Sequence, residues 1–68
     1  MTNTALLEER IAKSGYKKSY LADKIGKSAY ALALKINNKT EFKASEIDIL
    51  CELLGIDVIE RMAIFFAN

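Results

Sequence analysis

The chain has no histidine, proline or tryptophan, and only one cysteine and three glycines among its 68 residues. Each shortage closes off a class of chemistry. Without histidine there is no imidazole to activate a serine or to complete a common zinc site, so Ser19 and Ser45 read as turn or capping residues rather than nucleophiles. Cys51 has no partner for an internal disulfide, and its place on an apolar helical face makes it a buried, inert thiol. No catalytic residue, metal, cofactor or small-molecule substrate is expected, and the sequence does not read as an enzyme. No apolar run approaches the roughly 20 residues of a membrane span, and the N-terminal residues lack the charged-then-apolar pattern of a secretion signal. A cytoplasmic protein with no membrane partner is the expectation.

What the chain does have suits helices. Apolar types make up 51% and charged types 28%, and with few breakers this composition favours short helices and tight connections, an all-α class. One domain spans residues 1–68, because a chain this short buries a single modest core. The apolar spacing predicts five helices. The first runs from about Thr4 to Ser14, with Leu7 and Ile11 four apart and Gly15 stopping it; Tyr16 should then tuck back towards the core. The second spans about Lys18 to Ile25, with Leu21, Ala22 and Ile25 on one face and Gly26 at its end. The third follows Ser28 and reaches about Ile36, with Leu32 and Ile36 as an apolar pair, and Asn37 and Asn38 end it because asparagine tolerates the left-handed conformation.

Phe42 pins the next connection, and Ser45 with Glu46 and Asp48 marks the start of a fourth helix. There Ile47, Leu50, Cys51 and Leu54 fall at i, i+3, i+4 and i+7 before Gly55 terminates the run. Asp57 caps a fifth helix in which Ile59, Met62, Ala63 and Phe66 share a face. Phe65 lies beside that face and is expected to be partly exposed.

The net charge of +1 hides strong segregation. Residues 13–43 hold eight lysines against Asp23 and Glu41, a local charge of +6, whereas residues 1–12 carry −1 and residues 44–68 carry −4. A basic middle between acidic ends is the field of a domain that turns its central helices towards a polyanion.

The same middle carries a motif. In KKSYLADKIGKSAYALALKINNK, from Lys17 to Lys39, Ala22 is small enough for two helices to approach, Gly26 permits the positive φ of a sharp turn, and Leu32 anchors a second helix six residues on. This is helix-turn-helix spacing over about residues 18–37. Ser28 is placed to cap the helix that would enter the major groove of DNA, and the lysines around the motif to meet phosphates.

With the motif in place, LADKIGKS, AYALALKINNK and EFKASEIDILCELLGI together resemble the Cro and λ-repressor-like helix-turn-helix family in its compact five-helix form, over nearly the whole chain. Within that family the sequence looks like small regulators of temperate bacteriophages: Cro-like proteins, and the modulators of repression that oppose a lysogenic repressor. The resemblance implies a cytoplasmic regulator in a bacterial host, acting at a lysis-lysogeny switch on double-stranded operator DNA. It transfers a base-facing role to Ser28, Ala29, Tyr30, Ala33 and Leu34, with Asn37 at the edge. Lys18, Lys35 and Lys39 flank that helix as phosphate contacts, and Lys27 adjoins it. Two positions depart from the family pattern: Lys27 stands directly after the turn glycine, where an apolar residue is common, and Asn38 stands where glycine is common.

A second function stays open on the same residues. Direct base readout relies on bidentate donors and acceptors, whereas Ala29, Ala33 and Leu34 offer only apolar contact to thymine methyls. Ala29, Tyr30, Ala33 and Leu34 form a small apolar patch ringed by lysines, the composition of a protein interface. The alternative is an antirepressor that binds the DNA-binding domain of a phage lysogenic repressor through this surface. On either reading Leu34, two residues after Leu32, should face away from the core and be exposed.

Overall fold

Four of the five helices begin where a side chain engages a free backbone N–H, the exception being the one that starts at Lys18, and four are followed by a left-handed residue: Gly15, Gly26, Asn38 or Gly55. The computed structural model describes residues 1–67. Among them are α1 (Thr4–Ser14), α2 (Lys18–Lys24), α3 (Ala29–Ile36), α4 (Ala44–Leu54) and α5 (Val58–Phe65), with no strand. Three helices open on an accepting side chain: Asn3 takes the Leu6 N–H at 3.1 Å, Ser28 the Ala31 N–H at 3.1 Å, and Asp57 the Glu60 N–H at 2.8 Å. α4 opens differently. Lys43 sits at its cap position, and the Glu46 carboxylate reaches back to accept the Lys43 N–H at 2.8 Å. Ser45 lies inside the first turn, so the glutamate alone supplies the start signal there.

The connection between α2 and α3 is a sharp four-residue turn. Ile25 ends α2, Gly26 takes φ +73°, and the Lys27 N–H returns to the Ala22 carbonyl at 2.9 Å. Only glycine adopts that φ without a Cβ penalty, and the returning bond occupies a carbonyl that the helix end would leave free. At the far end of α3 the left-handed residue is Asn38, at φ +62°, so an asparagine takes the conformation that glycine usually supplies.

One core holds the helices together. Leu7 of α1, Leu21 of α2, Leu32 and Ile36 of α3 and Leu50 of α4 are fully buried, each contributing about 1.5–3 kcal/mol relative to exposure. α2 and α3 make the most extensive contact, while α1 packs against α3, α4 and α5. The radius of gyration is 10.5 Å, close to the roughly 11 Å of a compact chain this long. No helix among the described residues is long and apolar enough to cross a membrane.

Two expectations are overturned. Tyr16 does not tuck into the core but lies exposed, its ring stacked on Tyr20 at 5.0 Å between centroids. α5 is rotated: Ile64 and Phe65 are its buried residues, whereas Val58, Ile59, Met62, Ala63 and Phe66 face outwards. The cause lies in its neighbours. Glu60 pairs with Arg10 of α1 at 2.9 Å and Arg61 with Asp48 of α4 at 2.6 Å, so both charges lie on the packed side of the helix. The Asn3 N–H also donates to the Ile64 carbonyl at 2.6 Å, and Phe65 sets its ring edge-on to Phe42 at 5.4 Å. Those attachments turn Ile64 and Phe65 inwards and leave the wider apolar stripe in solvent.

Candidate nucleic-acid interface

α3 presents its outer face through a simple consequence of 3.6 residues per turn. Leu32, Lys35 and Ile36 share the inner side and are buried. Ala29, Tyr30 and Asn37 are exposed, with Ala33 and Leu34 half-buried between them. Leu34 is therefore less open than its spacing from Leu32 suggested. The backbone explains it: Lys39 and Thr40 donate N–H groups to the Leu34 carbonyl at 2.8 and 3.4 Å, so the chain leaving α3 folds back beside this residue.

Ser28 stands at the cap of α3 and is exposed, and Lys27 is half-buried just before it. On this face Tyr30 is the large side chain that projects freely, 74% exposed. Asn37 is accessible, but its amide donates to the Ala33 carbonyl at 3.0 Å, so one of its hydrogens is already engaged.

Lys35 is not a surface lysine. It is 8% exposed, and its ammonium meets the Glu46 carboxylate at 3.0 Å, donates to the Glu41 carbonyl at 2.9 Å and lies 6.0 Å from the centre of the Phe42 ring. The expected phosphate contact is therefore corrected to an internal ion pair. Its helical position carried the signal, since it lies between Leu32 and Ile36 on the core side. Burial pushes the Glu46 carboxyl up, but the Lys43 N–H and the Lys35 ammonium outweigh it, with Lys27 adding to them, and the group is held below its ordinary value. The Oε2 atom of Glu46 has no hydrogen-bond partner among the described residues. The pair joins the last turn of α3 to the first turn of α4.

A second clamp fixes the same end of α3. The Asn38 side chain accepts the Thr2 N–H and donates to the Thr2 carbonyl, both at 2.8 Å, and the Thr4 hydroxyl donates to the Ile36 carbonyl at 2.6 Å. The pose of α3 is thus set by buried leucines from within, by an ion pair to α4 and by the N-terminal residues.

The lysines divide by partner. Lys18 is exposed but paired with Glu8 at 2.8 Å, and Lys13 with Glu9 at 3.3 Å. Lys17, Lys24, Lys27, Lys39 and Lys43 have no carboxylate partner among the described residues. Lys27 and Lys39 bracket α3, while Lys24 lies 5.3 Å from the centre of the Tyr20 ring. The exposed row Tyr16, Tyr20 and Lys24 was missed in the sequence, where only the four-residue spacing of Tyr20 and Lys24 hints at it.

Cys51 is buried on α4, where burial and then Asp48 raise its thiol against the opposing pull of Arg61. It stays protonated at neutral pH. A cleft of about 220 Å³ lies by the N-terminus among Thr2, Phe42, Ile47 and Phe65, with Glu41 as its one acidic side chain. No protein-family model, curated protein or solved structure matches this chain.

Proposed function

We propose that this chain is a regulator that binds duplex DNA through a helix-turn-helix formed by α2 and α3, of the Cro and λ-repressor-like kind, working at a phage lysis-lysogeny switch in its bacterial host. One observation carries the reading: an α3 held from three sides, joined to α2 by the Gly26 turn, shows a shallow outer face between Lys27 and Lys39, two lysines with no carboxylate partner among the described residues. A shallow helix can approach base edges, and ammonium groups at its two ends meet the phosphate rails. Lys18 adds a third contact by exchanging Glu8 for a phosphate. The role is binding rather than catalysis.

The same face limits what the helix reads. With Lys35 internal, Asn37 partly engaged and Ser28 accepting the Ala31 N–H, Tyr30 is the polar side chain of this face with no hydrogen-bond partner among the described residues, so affinity is dominated by phosphates and discrimination between sequences is shallow. Lys27→Ala and Lys39→Ala should each weaken binding to unrelated duplexes alike and lower the salt slope by about one unit. Fluorescence anisotropy on two duplexes of different sequence tests this. A loss confined to one sequence would overturn the phosphate assignment.

The projecting Tyr30 favours a second reading, in which this face docks on the DNA-binding domain of a lysogenic repressor. A tyrosine standing free amid half-buried alanine and leucine has the composition of an interface anchor. Leu34→Glu separates the two. On DNA the added carboxylate repels phosphates and abolishes binding; against a repressor it buries an unpaired charge and breaks that complex instead. Titration calorimetry with a duplex and with the repressor domain distinguishes these outcomes.

A further inference from the structure

The exposed row at the start of α2 has no role in the reading above. Tyr16 and Tyr20 are each 40% exposed, and their rings lie 5.0 Å apart between centroids and within 25° of parallel. The Lys24 ammonium sits 5.3 Å from the centre of the Tyr20 ring. Tyr20 thus has both an aromatic and a cationic neighbour, whereas Tyr16 has the Tyr20 ring alone among the described residues. One face of Tyr16 is left for a further planar group.

We propose that this row is a site for single-stranded DNA, an unpaired base continuing the stack on Tyr16 while Lys17 and Lys24 meet the phosphates beside it. Three observations choose this occupant. The first is the stack. Near-parallel rings with one face left over are extended by another flat ring, and every base supplies one, so the contact is tolerant of sequence. An acidic protein surface answers the lysines with carboxylates but leaves the stack without a plane to continue it.

The second is charge. Lys17 and Lys24 have no carboxylate partner among the described residues, while on α1 Glu8 and Glu9 are engaged by Lys18 and Lys13. Asp23 is the one acid of α2. At 100° per residue it lies about 60° around the helix from Tyr20, and Lys24 lies about 40° the other way, so ring and ammonium share an edge that the carboxylate is turned from.

The third is reach. Lys17 follows Tyr16 directly in the chain, and its side chain makes no capping bond to α2. Its flexible stem lets the ammonium meet the phosphate of a nucleotide whose base lies on Tyr16. DNA is chosen over RNA because α2 packs on α3, so a strand on the row adjoins the duplex placed on α3 above. That choice rests on the duplex reading; the binding of a strand is measured without any duplex.

Fluorescence anisotropy of a labelled thymidylate strand of about twelve nucleotides, with protein up to about 1 mM at about 20 mM salt, is the test. An abasic strand of the same length and charge is the comparison. The wild type should bind thymidylate at least about 5-fold more tightly than the abasic strand, the contribution of one stacked base. Tyr16→Ala should remove that preference and Tyr16→Phe should keep it, because stacking uses the ring and not the hydroxyl. Circular dichroism should not change, since the Tyr16 ring is outside the core. Lys17→Ala and Lys24→Ala should each lower the salt slope by about 0.7. Tyr30→Ala, on the exposed face of α3, should leave strand binding intact, so a failure of the α3 reading is seen separately. No binding at the highest concentration would overturn the proposal, as would equal affinity for the abasic strand, a preference that survives Tyr16→Ala, or a loss caused by Tyr30→Ala. A uridylate strand bound more than about 10-fold more tightly would contradict the choice of DNA, and a polyglutamate peptide bound as tightly and with the same dependence on Tyr16 would assign the row to an acidic protein instead.

Discussion

α3 and α5 are both eight residues long, both begin on a capping oxygen and both are mostly apolar, yet they show opposite surfaces. α3 turns a lysine into the protein and keeps small side chains and a tyrosine outside. α5 holds its two charges against α1 and α4 and turns its larger apolar stripe outside. The contrast shows that a short helix is not oriented by its most apolar face alone. Glu46, waiting beside α3, draws Lys35 inwards; Arg10 and Asp48, waiting beside α5, fix Glu60 and Arg61 and so decide which apolar residues are left over. The outcome is one face flanked by lysines with no carboxylate partner among the described residues and another bordered by ion pairs.

The sharpest way to break this comparison is at neighbouring phenylalanines. Phe65→Ala should cost about 3–5 kcal/mol because it empties a packed site against Phe42, while Phe66→Ala, on the outward side, should cost less than about 1 kcal/mol. Thermal unfolding at low protein concentration reads both, and equal losses would mean that α5 is rotated otherwise. Next comes the inward lysine. Lys35→Met leaves Glu46 buried without its cation and should destabilise by about 3 kcal/mol, whereas adding Glu46→Leu should recover most of that loss. A surface lysine would show neither effect.

The same pair predicts an acid response. The Glu46 carboxyl lies below its ordinary value of 4.5 when folded, so its ionised form favours the fold. That contribution is complete above 4.5 and is lost as the pH falls through the lower folded value. The melting temperature of the wild type should therefore drop more steeply on acidification below 4.5 than that of Glu46→Gln, and parallel curves would contradict the assignment. The smallest effect belongs to Tyr30→Ala, which should change stability by no more than about 0.5 kcal/mol while weakening whichever partner α3 holds.

Much of this architecture is written locally in the chain. α1 and α4 are legible because their apolar residues recur on one side while charges occupy the other, and because Gly15 and Gly55 stop them. The caps Ser28 and Asp57 and the left-handed Asn38 follow from side-chain chemistry alone. α5 is different: leaving out Glu60 and Arg61, it is apolar all round, so periodicity favours the wider stripe, and only distant Arg10, Asp48 and Phe42 select the narrower one. For the candidate interface, the outward positions of Ala29, Tyr30 and Asn37 were readable from the spacing of Leu32 and Ile36. The burial of Lys35 was readable too, but a lysine's usual place in water hid it. The stacking of Tyr16 on Tyr20 was not, because Tyr16 precedes α2 and no helical spacing relates them.

The central claim, that α3 and its flanking lysines face duplex DNA, is tested most directly by titrating the wild-type chain into a fluorescent DNA duplex at 50 and 200 mM salt. With Lys18, Lys27 and Lys39 as the phosphate contacts, the dissociation constant should rise about 40-fold across that interval, the effect of releasing counterions from three phosphates. No detectable binding at 50 mM salt, or an affinity that does not change with salt, would contradict it.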